Sequence, residues 1–223
     1  MVSASPRLTQ KAFELLEGLK QNNTREWFEE HREEFRDQVQ DPFAAILEAV
    51  SDRLAGENPA LSGSRKTMFR LHRDVRFSKD KTPYSTHVSG VLTPSGTKNE
   101  GGGLVYLHCD TTGGMMAAGF YKLSASDLEP IRQRIIDKPA AFRAALKDIE
   151  KAGLALQREN SLTKMPRGFE DHKDHEFADE LKLKSLVVMK ELPKSAWTKG
   201  DVVERAESLA RASLALIRFG GAA

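Results

Sequence analysis

The stretch L-V-Y-L-H-C-D-T-T-G-G-M-M-A-A-G-F-Y, residues 104–121, reads as two strands, Leu104 to Cys109 and Met115 to Tyr121. The loop between them, Asp110 to Gly114, carries glycines suited to positive φ, so the pair predicts an antiparallel hairpin. Further strands are expected at His87 to Leu92 and over the short apolar run Leu186 to Met189. Upstream, the period also becomes two. From Thr67 to Phe77 one face reads Thr67, Phe69, Leu71, Arg73, Val75, Phe77, and the other Met68, Arg70, His72, Asp74, Arg76. That alternation predicts a half-buried strand that displays a charged strip.

Helical periodicity flanks these strands on both sides. Thr9 is a candidate cap for a helix carrying Phe13, Leu16 and Leu19. Thr24 caps a second, which turns Trp27, Phe28, Phe35 and Val39 inward. Asp41-Pro42 reads as the N-cap and first residue of a third, whose buried stripe is Phe43, Ile46, Leu47, Val50 and Leu54. Beyond the hairpin, Ser124 starts a helix with Leu128, Ile131 and Ile135, Pro139 opens another with Phe142, Leu146 and Ile149, and Asp201 to Phe219 forms the last. The expected class is α+β, a mainly antiparallel sheet packed against helices with a helical N-terminal region.

With 223 residues and no compositional break, the chain is expected to fold as a single domain over residues 1–223. Hydrophobic residues make up 39% and charged ones 30%, a globular balance. The formal charge of +2 does not imply a polyanionic partner, so any nucleic-acid contact would need a local basic face. A lone cysteine, Cys109, excludes an internal disulfide and a cysteine-based zinc site and suits a reducing compartment. Met1 to Gln10 has no apolar signal core, and no run reaches the roughly 18 apolar residues of a membrane span. The expected location is therefore cytoplasmic, with no membrane partner.

The densest chemical signal is R-L-H-R-D-V-R-F-S-K-D-K-T-P-Y, residues 70–84. Arg70, Arg73, Arg76, Lys79 and Lys81 stand there against only Asp74 and Asp80. Such a cluster repels itself unless an anion or distant carboxylates neutralise it. Guanidinium forks hold phosphate or carboxylate bidentately, lysines add point charge, and Ser78 and Tyr84 offer neutral hydrogen bonds at the rim. Asp74 and Asp80 would orient the cations, and Tyr84 or His72 would supply an acid or base. Arg73 falls on the apolar face, where an unpaired charge costs about 3–5 kcal/mol, so either a bulge turns it outward or a carboxylate meets it inside.

Three readings of this segment stay open: a site for a small phosphorylated or carboxylated metabolite, a contact for nucleic-acid backbone phosphates shared with Lys164 to Arg167, and a non-catalytic, partner-binding interaction domain in which the strip is an internal ion-pair network lacing the sheet edge to neighbouring helices, for example to Glu26, Glu29 or Glu30. The first is the leading expectation. Whether a reaction follows binding is not read from the sequence.

Other motifs weigh less. Gly101-Gly102-Gly103 precedes a strand instead of opening a helix, which suits close backbone approach better than a phosphate cradle. His172 and His175 form an H-x-x-H pair inside an acidic, exposed stretch. His72, His87 and His108 all fall in expected strands and would form a His-lined site only if the strand pairing brings them together. Cys109 reads as a packed thiol, and Ser78 lacks a nucleophile elbow. No metal ligand set and no cofactor is expected.

N-N-T-R-E-W-F at 22–28, F-R-L-H-R-D-V-R-F-S-K-D-K-T-P-Y at 69–84, G-G-G at 101–103, M-P-R-G-F at 165–169 with D-H at 171–172, and L-K-L-K at 181–184 together resemble the bacterial conserved-hypothetical family designated domain of unknown function twenty-four sixty-one. The likeness runs in order through most of the chain. It implies a conserved hypothetical protein of about this length, with no activity to carry over. The family motif usually continues with a lysine after the tyrosine, where this chain has Ser85.

Overall fold

A computed structural model describes residues 5–98, 102–159 and 161–221. Its N-terminal third is helical: α1 (Gln10–Gln21), α2 (Arg25–Glu30), α3 (Arg32–Phe35), a π-helical turn at Arg36–Gln40, and α4 (Asp41–Leu54). The Thr24 hydroxyl accepts the Trp27 N–H at the start of α2, whereas the Thr9 side chain makes no capping bond.

Asp41-Pro42 does not begin a separate helix. The residue before α4, Gln40, is itself in αR, and the Asp41 N–H reaches back five residues to the Arg36 carbonyl. Proline cannot donate, and its ring collides with the carbonyl four residues earlier. A widened π turn just ahead of Pro42 relieves that collision, so the helical path continues from Arg32 into α4.

The sheet follows as β1 (Val88–Leu92), β2 (Leu104–Asp110) and β3 (Gly113–Phe120); after α5 (Ala125–Asp137), α6 (Pro139–Lys151) and α7 (Ala178–Leu181) it is completed by β4 (Leu186–Glu191). The order is β1-β2-β3-β4 with every pair antiparallel, as in His108 opposite Met115 and Ala118 opposite Val188. The expected α+β class and the 104–121 hairpin are both present. Asp110 closes the hairpin by accepting from the backbone of Thr112 and Gly113. Gly113 and Gly114 follow at φ 130° and 114°, and a Cβ on either would lie within about 2 Å of a carbonyl oxygen.

Alternation along β2 sorts its side chains. Val105, Leu107 and Cys109 are fully buried beneath the helices, while Tyr106, His108 and Asp110 line the other, half-exposed face. On the covered side lie α4 against β1, α9 (Val202–Gly221) across β2 and β3, and α8 (Lys194–Lys199) at β3. One apolar cluster runs from Leu8 to Phe219, with Trp197 stacked on Phe43 at 5.9 Å. Ser124 and Pro139 open α5 and α6 as expected.

The regular strand expected over Thr67 to Phe77 is not formed. Arg65–Thr67 is a 3-10 turn capped by Ser64, and the following segment pairs with its return arm only through the isolated bridges Met68–Gly90 and His72–Tyr84. Backbone bonds from Phe69 to Ser89, Ser85 to Leu71 and Arg73 to Pro83 extend this loose hairpin to Arg73. Beyond it, Asp74 accepts the Arg76 N–H and Asp80 the Thr82 N–H, so short-range side-chain bonds replace the ladder. The alternation also fails: Thr67 and Met68 are both buried, Phe69 is 43% exposed, and Phe77, at the loop tip, is 95% exposed.

Gly90 is where three segments meet. A Cβ there would lie 2.6 Å from Leu47 Cδ1 and 3.3 Å from Phe43 Cε1, both on α4, and 3.4 Å from the Met68 Cα. Gly90→Ala should therefore destabilise the protein by about 1–3 kcal/mol through overpacking, whereas Gly56→Ala, with open space around it, should change stability by less than about 0.5 kcal/mol. Urea denaturation of the two variants measures this, and equal midpoints would show that α4 and β1 are not in close contact.

Candidate functional site

Two of the five cations of segment 70–84 are paired with its own two acids. The Arg73 guanidinium donates to Asp80 Oδ2 at 2.6 Å, to the Thr82 carbonyl at 3.1 Å and to the Thr82 hydroxyl. The strand that would have buried Arg73 is not formed, and its carboxylate partner comes from the same exposed loop and not from the interior. Asp80 is held down to a pKa of about 2, first by the Thr82 N–H, then by the Thr82 hydroxyl and by Arg73. Arg76 grips Asp74 with two bonds of 2.9 and 2.6 Å, which lowers the Asp74 pKa, and Lys81 donates to the Val75 carbonyl at 2.9 Å.

The remaining members of the segment go to different surroundings. Lys79 is exposed and has no ion pair among the described residues. Ser78 is half-buried, with its N–H on the Val75 carbonyl. Tyr84 is not at a rim: its ring is buried, stacked at 4.2 Å on Phe28, and its backbone is held at both N–H and carbonyl by the Asn23 amide. Burial raises its pKa.

Arg70 points elsewhere and joins cations that the motif does not contain. A groove of about 530 Å³ is lined by Arg32, Arg36, Arg65 and Arg70, together with Phe28, Glu29, Glu33, Gln40, Leu71 and His72. The lining thus includes four arginines and two glutamates. Arg32 belongs to α3, Arg36 opens the π turn, Arg65 opens the 3-10 turn, and Arg70 lies on the loose hairpin. Arg32 pairs with Glu29 at 3.3 Å, Arg36 with Asp37 at 2.8 Å, and Arg65 with Asp41. Arg70 has no ion pair among the described residues, and its charge contributes to holding down Asp74. Both ends of the π turn, Arg36 and Gln40, line the groove.

The histidines separate into distinct places. His87 and His108 do come together, with rings stacked at 4.2 Å on the half-exposed face of the sheet. His108 Nδ1 lies 3.1 Å from the Tyr106 hydroxyl and Nε2 3.5 Å from Asp110. His72 is apart from them, packed on Phe28 and Tyr84 at the groove wall. His172 and His175 sit edge to face at 6.3 Å, and His175 Nδ1 is engaged by the Phe177 N–H. Among the described residues no group of three or more His, Cys, Asp or Glu side chains is placed to hold a metal ion. Cys109 is buried under the helices, and burial pushes its thiol pKa up. In the Gly101–Gly103 run, Gly101 lies outside the described residues, and Gly103 is pressed against Ile217 and Phe120, a close backbone approach.

Burial, reinforced by the charge of His108, pushes His87 down from 6.5 to about 4. The folded state thus prefers the neutral ring, and the unfolded state takes up the proton first. Stability from this group is complete above pH 6.5 and is lost as pH falls toward 4. The full shift would correspond to roughly 3 kcal/mol, and solvent screening at a ring this open reduces it to about 1–2 kcal/mol. In urea melts at pH 7 and pH 4.5, His87→Gln should lose that much less stability than the parent chain between the two pH values. Equal losses would contradict the assignment.

No helix among the described residues is long and apolar enough to cross a membrane. No curated protein matches the chain, and no solved structure matches it. Residues 11–219 match the family model described as Conserved hypothetical protein (DUF2461), and the chain belongs to that family.

Proposed function

We propose that the chain binds a small anionic metabolite, phosphorylated or carboxylated, in the groove lined by Arg32, Arg36, Arg65 and Arg70. The observation that carries this reading is that four arginines from separate elements line one cavity. Their present partners are exposed acids at the flanks, and exposed ion pairs hold by only about 0–1 kcal/mol. An oxyanion that accepts bidentate bonds from two guanidinium groups therefore displaces those acids at little cost. Arg70, with no carboxylate to release, is the anchor. His72 on the wall is the titratable ring within reach of a bound ligand.

A second reading, a structural ion-pair network, is favoured for residues 73–82 by the Arg73–Asp80–Thr82 contacts and the Arg76–Asp74 fork. The two readings divide the segment: Arg70 serves the ligand, and the charges beyond it brace the loop.

Two measurements follow. Inorganic phosphate at about one hundred times its dissociation constant should stabilise the protein by about 2.7 kcal/mol beyond chloride of equal ionic strength, and Arg70→Ala should remove that gain. If chloride matches phosphate, or if Arg70→Ala keeps the full gain, the groove is not the anion site. Without ligand, Arg73→Ala should lower the melting temperature and Arg76→Ala, in a solvent-exposed pair, should leave it unchanged. Parent-like melting of both would remove the structural reading of the loop.

A further inference from the structure

The groove is not uniformly positive. Glu29 and Glu33 line it together with the arginines; Glu29 pairs with Arg32, and the charge of Glu33 acts on Arg36. Glu33 carries no ion pair among the described residues. A bare oxyanion would gain nothing from these carboxylates and would be repelled by them. Carboxylates beside guanidinium groups instead complement a ligand that is anionic at one end and donates hydrogen bonds at the other.

The size and floor of the groove agree. At about 530 Å³ it lies within the range of metabolite-sized pockets, about 300–1,000 Å³, and well above what one phosphate fills. Phe28 and Leu71 add apolar side chains to the lining for a carbon skeleton, and the Gln40 amide offers both a donor and an acceptor.

From this arrangement we infer that the ligand class is a phosphate monoester with a hydrogen-bond-donating tail: the arginines take the phosphate and Glu33, with Glu29, accepts from hydroxyl or ammonium groups on the tail. This inference rests on the anion-binding reading above and narrows it to bipolar ligands.

Isothermal titration of the full chain at low ionic strength tests it with inorganic phosphate, methyl phosphate, ribose 5-phosphate and phosphoethanolamine. The last two separate a hydroxyl-bearing tail from an ammonium-bearing one. At least one of them should bind about tenfold or more tightly than methyl phosphate, a difference of about 1.4 kcal/mol. Glu33→Ala should collapse that ratio toward one while keeping or improving the affinity for methyl phosphate, and its melting temperature should match that of the parent. If methyl phosphate binds as well as both tailed esters, or if the preference survives Glu33→Ala, the ligand class is wrong while the anion site stands. If none of the four probes binds, the anion site itself falls and this inference with it.

Discussion

The close approach of α4 to β1 at Gly90 is the contact on which the geometry of the groove depends. Because Gly90 has no side chain, Leu47 and Phe43 of α4 reach the strand from one direction and the Met68 backbone from another. The bridge between Met68 and Gly90 fixes the loose hairpin to the sheet edge, and the 3-10 turn with Arg65 immediately precedes it. On the other side α4 continues backward through the π turn, which opens at Arg36, into α3, which opens at Arg32. Two pairs of arginines far apart in sequence are thereby set across one cavity by apolar packing, and their mutual repulsion is offset by acids at its edges.

This division of labour explains why so charged a motif is compatible with a stable fold. Arg73 and Arg76 find Asp80 and Asp74 within the loop, and Lys81 finds backbone carbonyls, so three of the four cations beyond Arg70 have partners inside the loop itself. Tyr84 contributes by packing: it stacks on Phe28, contacts His72 and is tied through Asn23 to the start of the helical region. These contacts anchor the return arm of the hairpin and keep Arg70 and His72 on the groove wall. The His87–His108 pair lies on the half-exposed face of the sheet and is a separate feature with its own acid sensitivity.

What could be read from the sequence was what depends on neighbours along the chain. The 104–121 hairpin follows from residue type and glycine placement, and the caps at Ser124 and Thr24 from the side-chain oxygens of those residues. The reading of 67–77 as a strand failed because Asp74 and Asp80 compete for the backbone N–H groups that a ladder needs, which a two-residue period does not register. Asp41-Pro42 signalled a helix start because proline is favoured there, yet a preceding π turn absorbs the same residue inside a continuous helical path. Of the groove arginines only Arg70 lay in the conspicuous motif. Arg32 and Arg36, four residues apart on one helical face, left a usable signal, whereas Arg65 joins them only through the tertiary contact at Gly90. The meeting of His87 and His108 required the β1–β2 register, in which Ser89 opposes His108.

The most direct measurement is a crystal structure of the protein grown in phosphate and compared with one grown in chloride. In the phosphate form an oxyanion is expected between Arg70 and at least one of Arg32, Arg36 and Arg65, with the displaced carboxylate turned to solvent. Phosphate bound instead among Arg73, Arg76 and Lys81, or a groove whose arginines keep the same acid partners in both crystals, would contradict it.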